Sequence, residues 1–310
     1  MQIKSLTVYL GSGGKAPKLY KDAAKALGHY LADNNYRTVY GGMSAGTMGI
    51  LADAALEKNG DVLGVIPTNI RDKDFVHQAL ITANKMITVD NMWKRKKILI
   101  DEGDAAIALP GGYGTLDEIF EFLYWGLKGF HAKPLGLLNI NGYWTPLLNF
   151  IETACEKGAL EKTALAYLFV DDKIEPLLEK LSSFVAPKIE EKILSDKTTY
   201  ISAIEESNLT DTQNPIIVHA TNIEELYRLA NALVLKQLNK VTRPIGVLDK
   251  DRLFGKLKLW IYTAAVNGFI TPYCPDLAVF SEDEELLEMM IRNHIHVSVD
   301  LHEKWEGLKS

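Results

Sequence analysis

The sequence predicts an α/β fold, a Rossmann-like and mostly parallel sheet with helices on both faces, followed by a smaller C-terminal α/β domain. Two observations lead to this prediction. Short β-rich segments alternate with longer segments of helical hydrophobic spacing, an order that builds a parallel sheet covered on both faces. Three of the β-rich segments end in a glycine-rich turn, and ligands in such sheets bind beyond the carboxyl ends of the strands. The three turns therefore mark the expected ligand side of the sheet.

The predicted elements follow one another in a regular order. Residues 5–10 form the first strand, which ends at the turn GSGG and leads into a helix that reaches residue 31. Residues 37–40 form the second strand, followed by the turn GGMSAG and a helix to residue 58. The remaining elements are a third strand at 61–66, a long helix at 92–102, a fourth strand at 105–109, a helix at 116–126 and a fifth strand at 134–139.

The composition is that of an ordinary globular protein with a modest negative charge. Hydrophobic residues make up 47% and charged residues 24% of the 310 positions, and the formal net charge is −6. That balance argues against a dedicated nucleic-acid or anionic-membrane surface. No apolar segment reaches the roughly 18 residues of a membrane span, and the N-terminus does not read as a secretory signal, so we expect a cytoplasmic protein.

Cysteine and histidine usage gives no sign of a metal site. Cys155 and Cys274 are the only cysteines and form no CxxC pair, so we expect two buried thiols rather than a disulfide framework. The seven histidines show no HExxH or comparable ligand spacing. The sequence therefore predicts neither a metal ion nor an organic cofactor.

The strongest functional signal is the sequence PGGYGTLDE at residues 110–118, between a predicted strand and a predicted helix. Glycines allow the backbone to approach a ligand closely, and the free amides at a helix start attract phosphate. The segment lacks the Gly-Lys-Ser/Thr ending of a P-loop and does not complete a GxGxxG dinucleotide motif. We therefore interpret residues 111–115, called the glycine cradle below, as a site for the phosphate of a nucleoside monophosphate.

Two charged residues near the cradle have both a structural and a catalytic interpretation. Thr115 and Glu118 fit the spacing of a capping box, in which the glutamate satisfies an amide at the helix start. Arg95 lies in the basic sequence KRKK, and such a stretch is usually the solvated face of a helix. The residues alone leave these alternatives open.

The wider pattern resembles the Lonely Guy family. Met92-x-x-Arg95-Lys96 is followed, 23 residues after the arginine, by the glutamate of PGGxGTxxE, and the similarity includes GS at 11–12, YGGMSAGTMG at 40–49, VLGVIP at 62–67 and KPLGLLN at 133–139. It covers roughly the first 60% of the chain. The resemblance implies that Arg95 and Glu118 form a catalytic pair. It also implies a substrate and phosphate site formed by Gly11, Ser12, Gly42, Met43, Met92, Lys96, Gly111, Gly112, Gly114 and Thr115.

The resemblance implies a reaction as well: hydrolysis of the N-glycosidic bond of a nucleoside 5′-monophosphate, such as a cytokinin riboside monophosphate or AMP. Family members are often labelled lysine decarboxylases, but that reaction needs pyridoxal phosphate and a Schiff-base lysine, for which the sequence gives no argument. A broad purine or pyrimidine monophosphate nucleosidase, or a non-catalytic nucleotide or molybdenum-cofactor carrier, are the alternatives. The resemblance further implies a homodimer or larger homo-oligomer, formed through helices near the active site.

The C-terminal part looks like a degenerate copy of the second half of the first domain. A shift of 110 positions places PIGVL at 244–248 on PLGLL at 134–138, and 10 of the 48 positions from 134 to 181 equal their counterparts. We predict that residues 214–291 repeat the β-α-β-α-β order of residues 104–181. The predicted division is a catalytic domain at 1–185, a charged helical connection at 186–213 and the copy at 214–310. The shift replaces the cradle with TNIEE at 221–225, whose glutamates would repel phosphate, so the copy is expected to be non-catalytic.

Overall fold

The computed structural model describes residues 2–68, 75–189, 214–219 and 221–300. Most of the charged helical connection predicted at 186–213 lies outside these residues, from position 190 onward. Within the described ranges, none of the helices is long and apolar enough to cross a membrane. Both cysteines are buried free thiols, as the sequence predicts.

Within the described residues, seven strands form the main sheet. In chain order they are β1 (Ser5–Tyr9), β2 (Arg37–Tyr40), β3 (Val62–Pro67), β4 (Met86–Val89), β5 (Ala105–Ala108), β6 (Leu135–Leu138) and β7 (Leu168–Asp171). Their order across the sheet is β4-β3-β2-β1-β5-β6-β7, and every neighbouring pair is parallel. The chain builds outward from β1 in one direction and from β5 in the other. The carboxyl ends of these two central strands therefore flank the crevice where ligands bind in such sheets.

Helices cover both faces of this sheet. They are α1 (Lys18–Asp33), α2 (Gly46–Glu57), α3 (Gln78–Thr82), α4 (Met92–Glu102), α5 (Tyr113–Leu127), α6 (Thr145–Glu156) and α7 (Ile174–Ser182). One buried cluster includes apolar residues of α1, α2 and α7, and a larger one includes those of α4, α5 and α6. The predicted Rossmann-like architecture is therefore confirmed.

The start of one helix and the edge strand β4 differ from the sequence prediction, and the short helix α3 was not predicted. The helix expected at 116–126 begins three residues earlier, at Tyr113, because the glycine cradle itself forms its first turn. Strand β4 was not predicted, since it lies at the sheet edge and three of its four residues are only half-buried, which leaves little hydrophobic pattern. The first difference matters for the site, because it places Thr115 and Glu118 inside the helix.

The described residues of the C-terminal part form a second, three-stranded parallel sheet. Its elements are β8 (Ile216–Val218), α8 (Ile223–Gln237), β9 (Ile245–Leu248), α9 (Gly255–Val266), β10 (Val279–Ser281) and α10 (Glu284–Arg292). These three helices begin 110 positions after α5, α6 and α7 respectively. The strands of this sheet pair in the same register as those of the main sheet. Subtracting 110 from each aligned residue pair gives a pair between β5 and β6 or between β6 and β7. The predicted β-α-β-α-β order is confirmed with the predicted offset.

A close contact between helix and strand explains why the middle strand repeats its glycine. An added Cβ on Gly136 would lie 3.1 Å from the side chain of Leu177 in α7. An added Cβ on Gly246 would lie 2.5 Å from Ile291 and 3.4 Å from Leu287 in α10. Leu287 is the counterpart of Leu177 by the same offset. In both copies the glycine in this strand lets the side chains of the helix pack directly on the backbone.

Helices also join the two sheets. α5 packs against α8, and α6 packs against α9, so each of these helices meets its own counterpart. Buried side chains from both regions belong to one continuous hydrophobic cluster. The C-terminal repeat, defined here as residues 214–291, thus shares a core with the main sheet.

Candidate functional site

A cavity of about 410 Å³ opens at the edge of the sheet where the glycine turns lie. Its walls come from the segments that follow β1, β2 and β5, from α4 and from the C-terminal repeat. Nine of the residues predicted for the site line it: Gly11, Ser12, Met43, Met92, Arg95, Gly112, Gly114, Thr115 and Glu118. A volume of this size is typical of a small-molecule site. The fold therefore brings distant segments together at the predicted edge.

Three other predicted binding residues do not line the cavity. Gly111 lies behind the wall, where an added Cβ would be 2.2 Å from Oγ1 of Thr115. Gly42 has a φ of +74°, a left-handed conformation that favours glycine. The ammonium group of Lys96 is held between two carboxylates. Gly111 and Lys96 thus contact residues that do line the cavity, Thr115 and Asp117.

The glycine cradle forms the start of α5 on the cavity wall. Gly112 is the N-cap residue, and within the described chain no side chain caps this helix start. An added Cβ on Gly112 would lie 2.6 Å from the carbonyl oxygen of Phe269, whereas one on Gly114 would meet no atom within 4 Å. The first glycine is needed for a contact with the C-terminal repeat, and the second leaves the turn open. Uncapped amides and the helix dipole favour an anion at this point.

Arg95 is buried beside the cavity through several close contacts. Its Nε donates to the carbonyl oxygen of Val65 at 3.3 Å, and its Nη1 lies 3.2 Å from the sulfur of Met92. An added Cβ on Gly41 would lie 2.1 Å from Nη2, so the guanidinium fits only beside a glycine. The interpretation of the KRKK sequence as a solvated face is therefore wrong for Arg95, although the neighbouring Lys94 is exposed.

Glu118 faces Arg95 instead of capping α5. Because the helix begins at Tyr113, Thr115 already lies inside it, and the capping-box interpretation is wrong. Nη1 of Arg95 and Oε1 of Glu118 are 3.5 Å apart, with both side chains almost fully buried. Burial raises the pKa of Glu118 to about 7, against the opposing effect of the Arg95 charge. A carboxyl group that titrates near neutral pH inside a cavity is a candidate for catalysis.

Lys96 belongs to a buried charge cluster behind the cavity. Its ammonium lies 3.2 Å from Oδ2 of Asp117 and 3.1 Å from Oε1 of Glu121. It also donates to the hydroxyl of Tyr227 at 3.3 Å, and that hydroxyl donates to Glu121 at 2.9 Å. Because Tyr227 belongs to α8, this cluster ties α4 and α5 to the C-terminal repeat.

One wall of the cavity consists of residues that the sequence patterns did not indicate. Of the described residues of the C-terminal repeat, seven line it: Asn231, Val234, Leu235, Gln237, Leu238, Lys240 and Phe269. Their helical spacing is visible in the sequence, but the face that meets the cavity depends on contacts between the two regions. Gly41, which also lines the cavity, was missed although it stands in the same glycine turn as Gly42.

The arrangement joins an anion site to a buried ion pair on the same helix. Glu118 follows Thr115 by about one helical turn. An anion at the start of α5 would therefore lie on the order of 5 Å from Glu118, measured along the axis of the helix. Carboxylates stabilise positive charge that develops nearby. The cavity can therefore hold a phosphorylated ligand and stabilise a cationic centre within it.

Comparisons with known proteins find relatives for about two thirds of the chain. The sequence model matching residues 48–181 is described as "Possible lysine decarboxylase". The chain is 38% identical over 194 residues to "Probable cytokinin riboside 5'-monophosphate phosphoribohydrolase LOGL2" of Oryza sativa subsp. japonica, covering 63% of this chain and 78% of that protein. It is 38% identical over 197 residues to "Cytokinin riboside 5'-monophosphate phosphoribohydrolase LOG1" of Arabidopsis thaliana, covering 64% and 90%. Among solved structures, the molybdenum cofactor binding protein from the phototrophic bacterium Rippkaea orientalis aligns at 23% identity over 59% of this chain and 98% of that chain, with a TM-score of 0.44.

Proposed function

Since this chain belongs to the Lonely Guy (LOG) family, we propose that it hydrolyses the N-glycosidic bond of a nucleoside 5′-monophosphate to free base and ribose 5-phosphate. The observation that carries this proposal is the buried pair of Arg95 and Glu118, about one helical turn from the uncapped start of α5. The two features have separate tasks. One holds the phosphate, and the other acts on the sugar attached to it.

The start of α5 would bind the 5′-phosphate. Its backbone amides are uncapped by any described side chain, and the positive end of the helix dipole adds to their attraction for an anion. A phosphate held there fixes the ribose in front of Glu118. Such positioning replaces a random encounter by a reaction between groups already in place.

Glu118 would stabilise the cationic state of the sugar. When the C–N bond breaks, its electron pair leaves with the base, and positive charge develops on the ribose carbon and ring oxygen. A nearby carboxylate lowers the energy of that state. Water then supplies the hydroxyl group that ends on the ribose carbon, and its proton balances the charge of the departing base. The ionised form of Glu118 is the active one, whether it acts as nucleophile, base or electrostatic stabiliser.

Arg95 would orient Glu118 and contact the ribose hydroxyls or the phosphate. Its planar guanidinium has five N–H donors, which can reach the glutamate, the Val65 carbonyl and a ligand at once. A lysine ammonium is a point charge without this fork. The exposed Lys94 and the ion-paired Lys96 therefore cannot take over the role.

The apolar part of the cavity would take the base. Met43, Met48, Ile66 and Met92 line it. Methionine side chains adapt well to flat aromatic surfaces. Both AMP and a cytokinin riboside monophosphate fit this description, and the choice between them is the first question for experiment.

A panel of nucleoside 5′-monophosphates tests the proposal, with free base and ribose 5-phosphate measured separately. We expect equimolar release from AMP or from a cytokinin riboside monophosphate. Comparable release from purine and pyrimidine monophosphates would indicate a broad nucleosidase instead. Tight binding without release would indicate a carrier. Carbon dioxide release from lysine with added pyridoxal phosphate would overturn the proposal in favour of the description attached to the family model.

A further inference from the structure

We infer that the C-terminal repeat takes the place of a second subunit within one chain and completes the active site in cis, with Gln237 and Lys240 contacting the phosphate end of the substrate. The inference depends on the proposed function for the identity of that substrate, a nucleoside 5′-monophosphate. Its structural part depends only on how the two copies pack.

The contact between the two copies is reciprocal. The indole rings of Trp144 and Trp260 stack with centroids 5.9 Å apart and an interplanar angle of 9°. The rings of Phe150 and Phe254 lie 5.4 Å apart. By the offset of 110, Trp260 corresponds to position 150 and Phe254 to position 144. Each ring pair is therefore the other with the copies exchanged, which is the property of a two-fold interface between identical subunits.

The same relation shows how α8 lies along α5. Tyr227, near the start of α8, stacks on Tyr124, near the end of α5, with ring centroids 5.5 Å apart. By the offset of 110, Tyr124 corresponds to position 234 and Tyr227 to position 117. The reciprocal contact therefore pairs Val234 with Asp117, and both of these residues line the cavity. The two helices are therefore antiparallel. The last turn of α8, at Gln237, lies beside the glycine cradle.

Each copy leaves one buried polar atom at the cavity without a hydrogen-bond partner among the described residues. These atoms are Oδ1 of Asp117 in α5 and Nε2 of Gln237 in α8. Both residues line the cavity, and both are more than nine-tenths buried, with relative exposures of 4% and 2%. Unpaired buried polar groups are costly. A sugar phosphate offers hydroxyl donors to the first atom and oxygen acceptors to the second.

Lys240 gives this wall a positive charge. It is exposed at the cavity rim just beyond the end of α8, and its ammonium makes no hydrogen bond or ion pair within the described part of the chain. Among the described residues, Arg95 and Lys240 are the cations that line the cavity, and Arg95 already faces Glu118. Lys240 is therefore a cation of the described chain that is available to a phosphate at the cradle.

This packing has a consequence for assembly. A second chain that docked on α5 and α6 in the same reciprocal manner would need the surfaces that α8 and α9 cover. The inference thus departs from the homodimer that family resemblance implies. One chain is expected to hold one complete site and to work as a monomer.

Calorimetric titration with AMP tests the two contact residues, using the full-length chain with Glu118→Gln to prevent turnover. Lys240→Ala and Gln237→Met should each weaken AMP binding by about tenfold, the loss of one hydrogen bond to a charged group. Lys256→Ala removes an exposed lysine of α9 outside the cavity and should stay within about twofold of the parent. Unchanged affinity in either test variant would overturn that residue's role, as would an equal loss in the control.

Sedimentation, with turnover per chain measured over a hundredfold range of protein concentration, tests completion in cis. We expect the mass of one chain and constant turnover per chain. A stable dimer, or turnover that falls as a dimer dissociates, would overturn the inference. If no nucleotide is hydrolysed at all, the proposed function fails, while the AMP titrations and the mass still decide the inference.

Discussion

Residues 104–181 and the C-terminal repeat share one backbone plan, yet only the first region carries the glycine cradle and Glu118. The offset of 110 holds for the starts of all three helices and for the strand register. The regions differ at the turn after the first strand, where GGYGT at 111–115 corresponds to TNIEE at 221–225. The difference teaches that the packing positions maintain the fold, and that the sequence of a short turn can change without disturbing it.

In the copied turn, the protein's own groups take the place of an anion. Oδ1 of Asn222 accepts a hydrogen bond from the backbone amide of Glu225 at 3.0 Å. The Glu225 carboxylate accepts one from the backbone amide of His219 at 3.2 Å, and it lies 3.4 Å from Arg228. A carboxylate near a helix start interacts favourably with the dipole. The copy therefore has a capped helix, where the first region has an open one.

The largest contrast is expected between Glu118 and its counterpart Arg228. Glu118→Gln should lower base release by about 10³-fold, because an amide keeps the size of the side chain but not its charge. AMP binding should stay within about tenfold, since the cradle is untouched. Arg228→Gln, at the copied position, should change neither quantity. Steady-state release assays and calorimetry provide the measurements, and undiminished turnover by Glu118→Gln would reduce that residue to a structural role.

A smaller but still large effect is expected at Arg95. Arg95→Lys should lower kcat/KM by about 10²-fold, because a point charge cannot reproduce the planar donor geometry. Lys94→Ala, its exposed neighbour, serves as the matched control and should stay within about twofold. Kinetics with AMP provide the comparison. Similar losses at positions 94 and 95 would show that only local positive charge matters.

Removing the phosphate from the substrate should have an effect comparable to the Arg95 substitution. Adenosine should be cleaved with a kcat/KM about 10²-fold below that of AMP, because the cradle positions the ribose only when an anion occupies it. The comparison requires both compounds under identical conditions. Equal rates would mean that the start of α5 is not a phosphate site.

We expect kcat/KM to change by about tenfold per pH unit below pH 7 and to stay constant above it. Burial raises the pKa of Glu118 to about 7, so its carboxyl group is mostly protonated below that pH. Because the ionised form acts on the sugar, kcat/KM should rise by about tenfold per pH unit up to 7 and then level off. Activity that instead falls as the pH rises through 7 would assign Glu118 the role of a general acid.

The last comparison concerns the number of nucleotides that one chain binds at the two turns. Nucleotide binding should saturate at one AMP per chain, because Asn222 and Glu225 already occupy the copied helix start. Calorimetry on the full-length chain gives the number of sites. A value of two would show that the copied turn still accepts a phosphate.

Much of the fold could be predicted because it depends on short-range patterns. The glycine turns after β1, β2 and β5 are visible in the sequence, and so is the gapless offset of the repeat. The repeat can be detected in the sequence because identical residues occupy packing positions such as Gly136 and Gly246, where a helix contacts the strand. The edge strand β4 has no such contact pattern and was missed.

The site could be predicted only in part. Arg95 and Glu118 stand in a recognisable motif, but local spacing alone also allowed a capping box for Glu118. The start of α5 at Tyr113 decides against that box, and the backbone there is packed closely against Phe269 in the repeat. The wall formed by Gln237 and Lys240 depends in the same way on packing between copies. Long-range contacts of this kind leave no periodic signal in one sequence.

The stacked aromatic rings between the main sheet's helices and the C-terminal repeat determine where the chain can be shortened. The family match ends at residue 181, so a fragment ending there would look self-contained by sequence comparison. Such a fragment would uncover Trp144 and Tyr124, whose rings stack on the repeat, and would take a hydrogen-bond partner from the buried Lys96. Contiguous exposed aromatic surface promotes aggregation. The part of the chain that follows the family match is therefore expected to keep the catalytic part in solution.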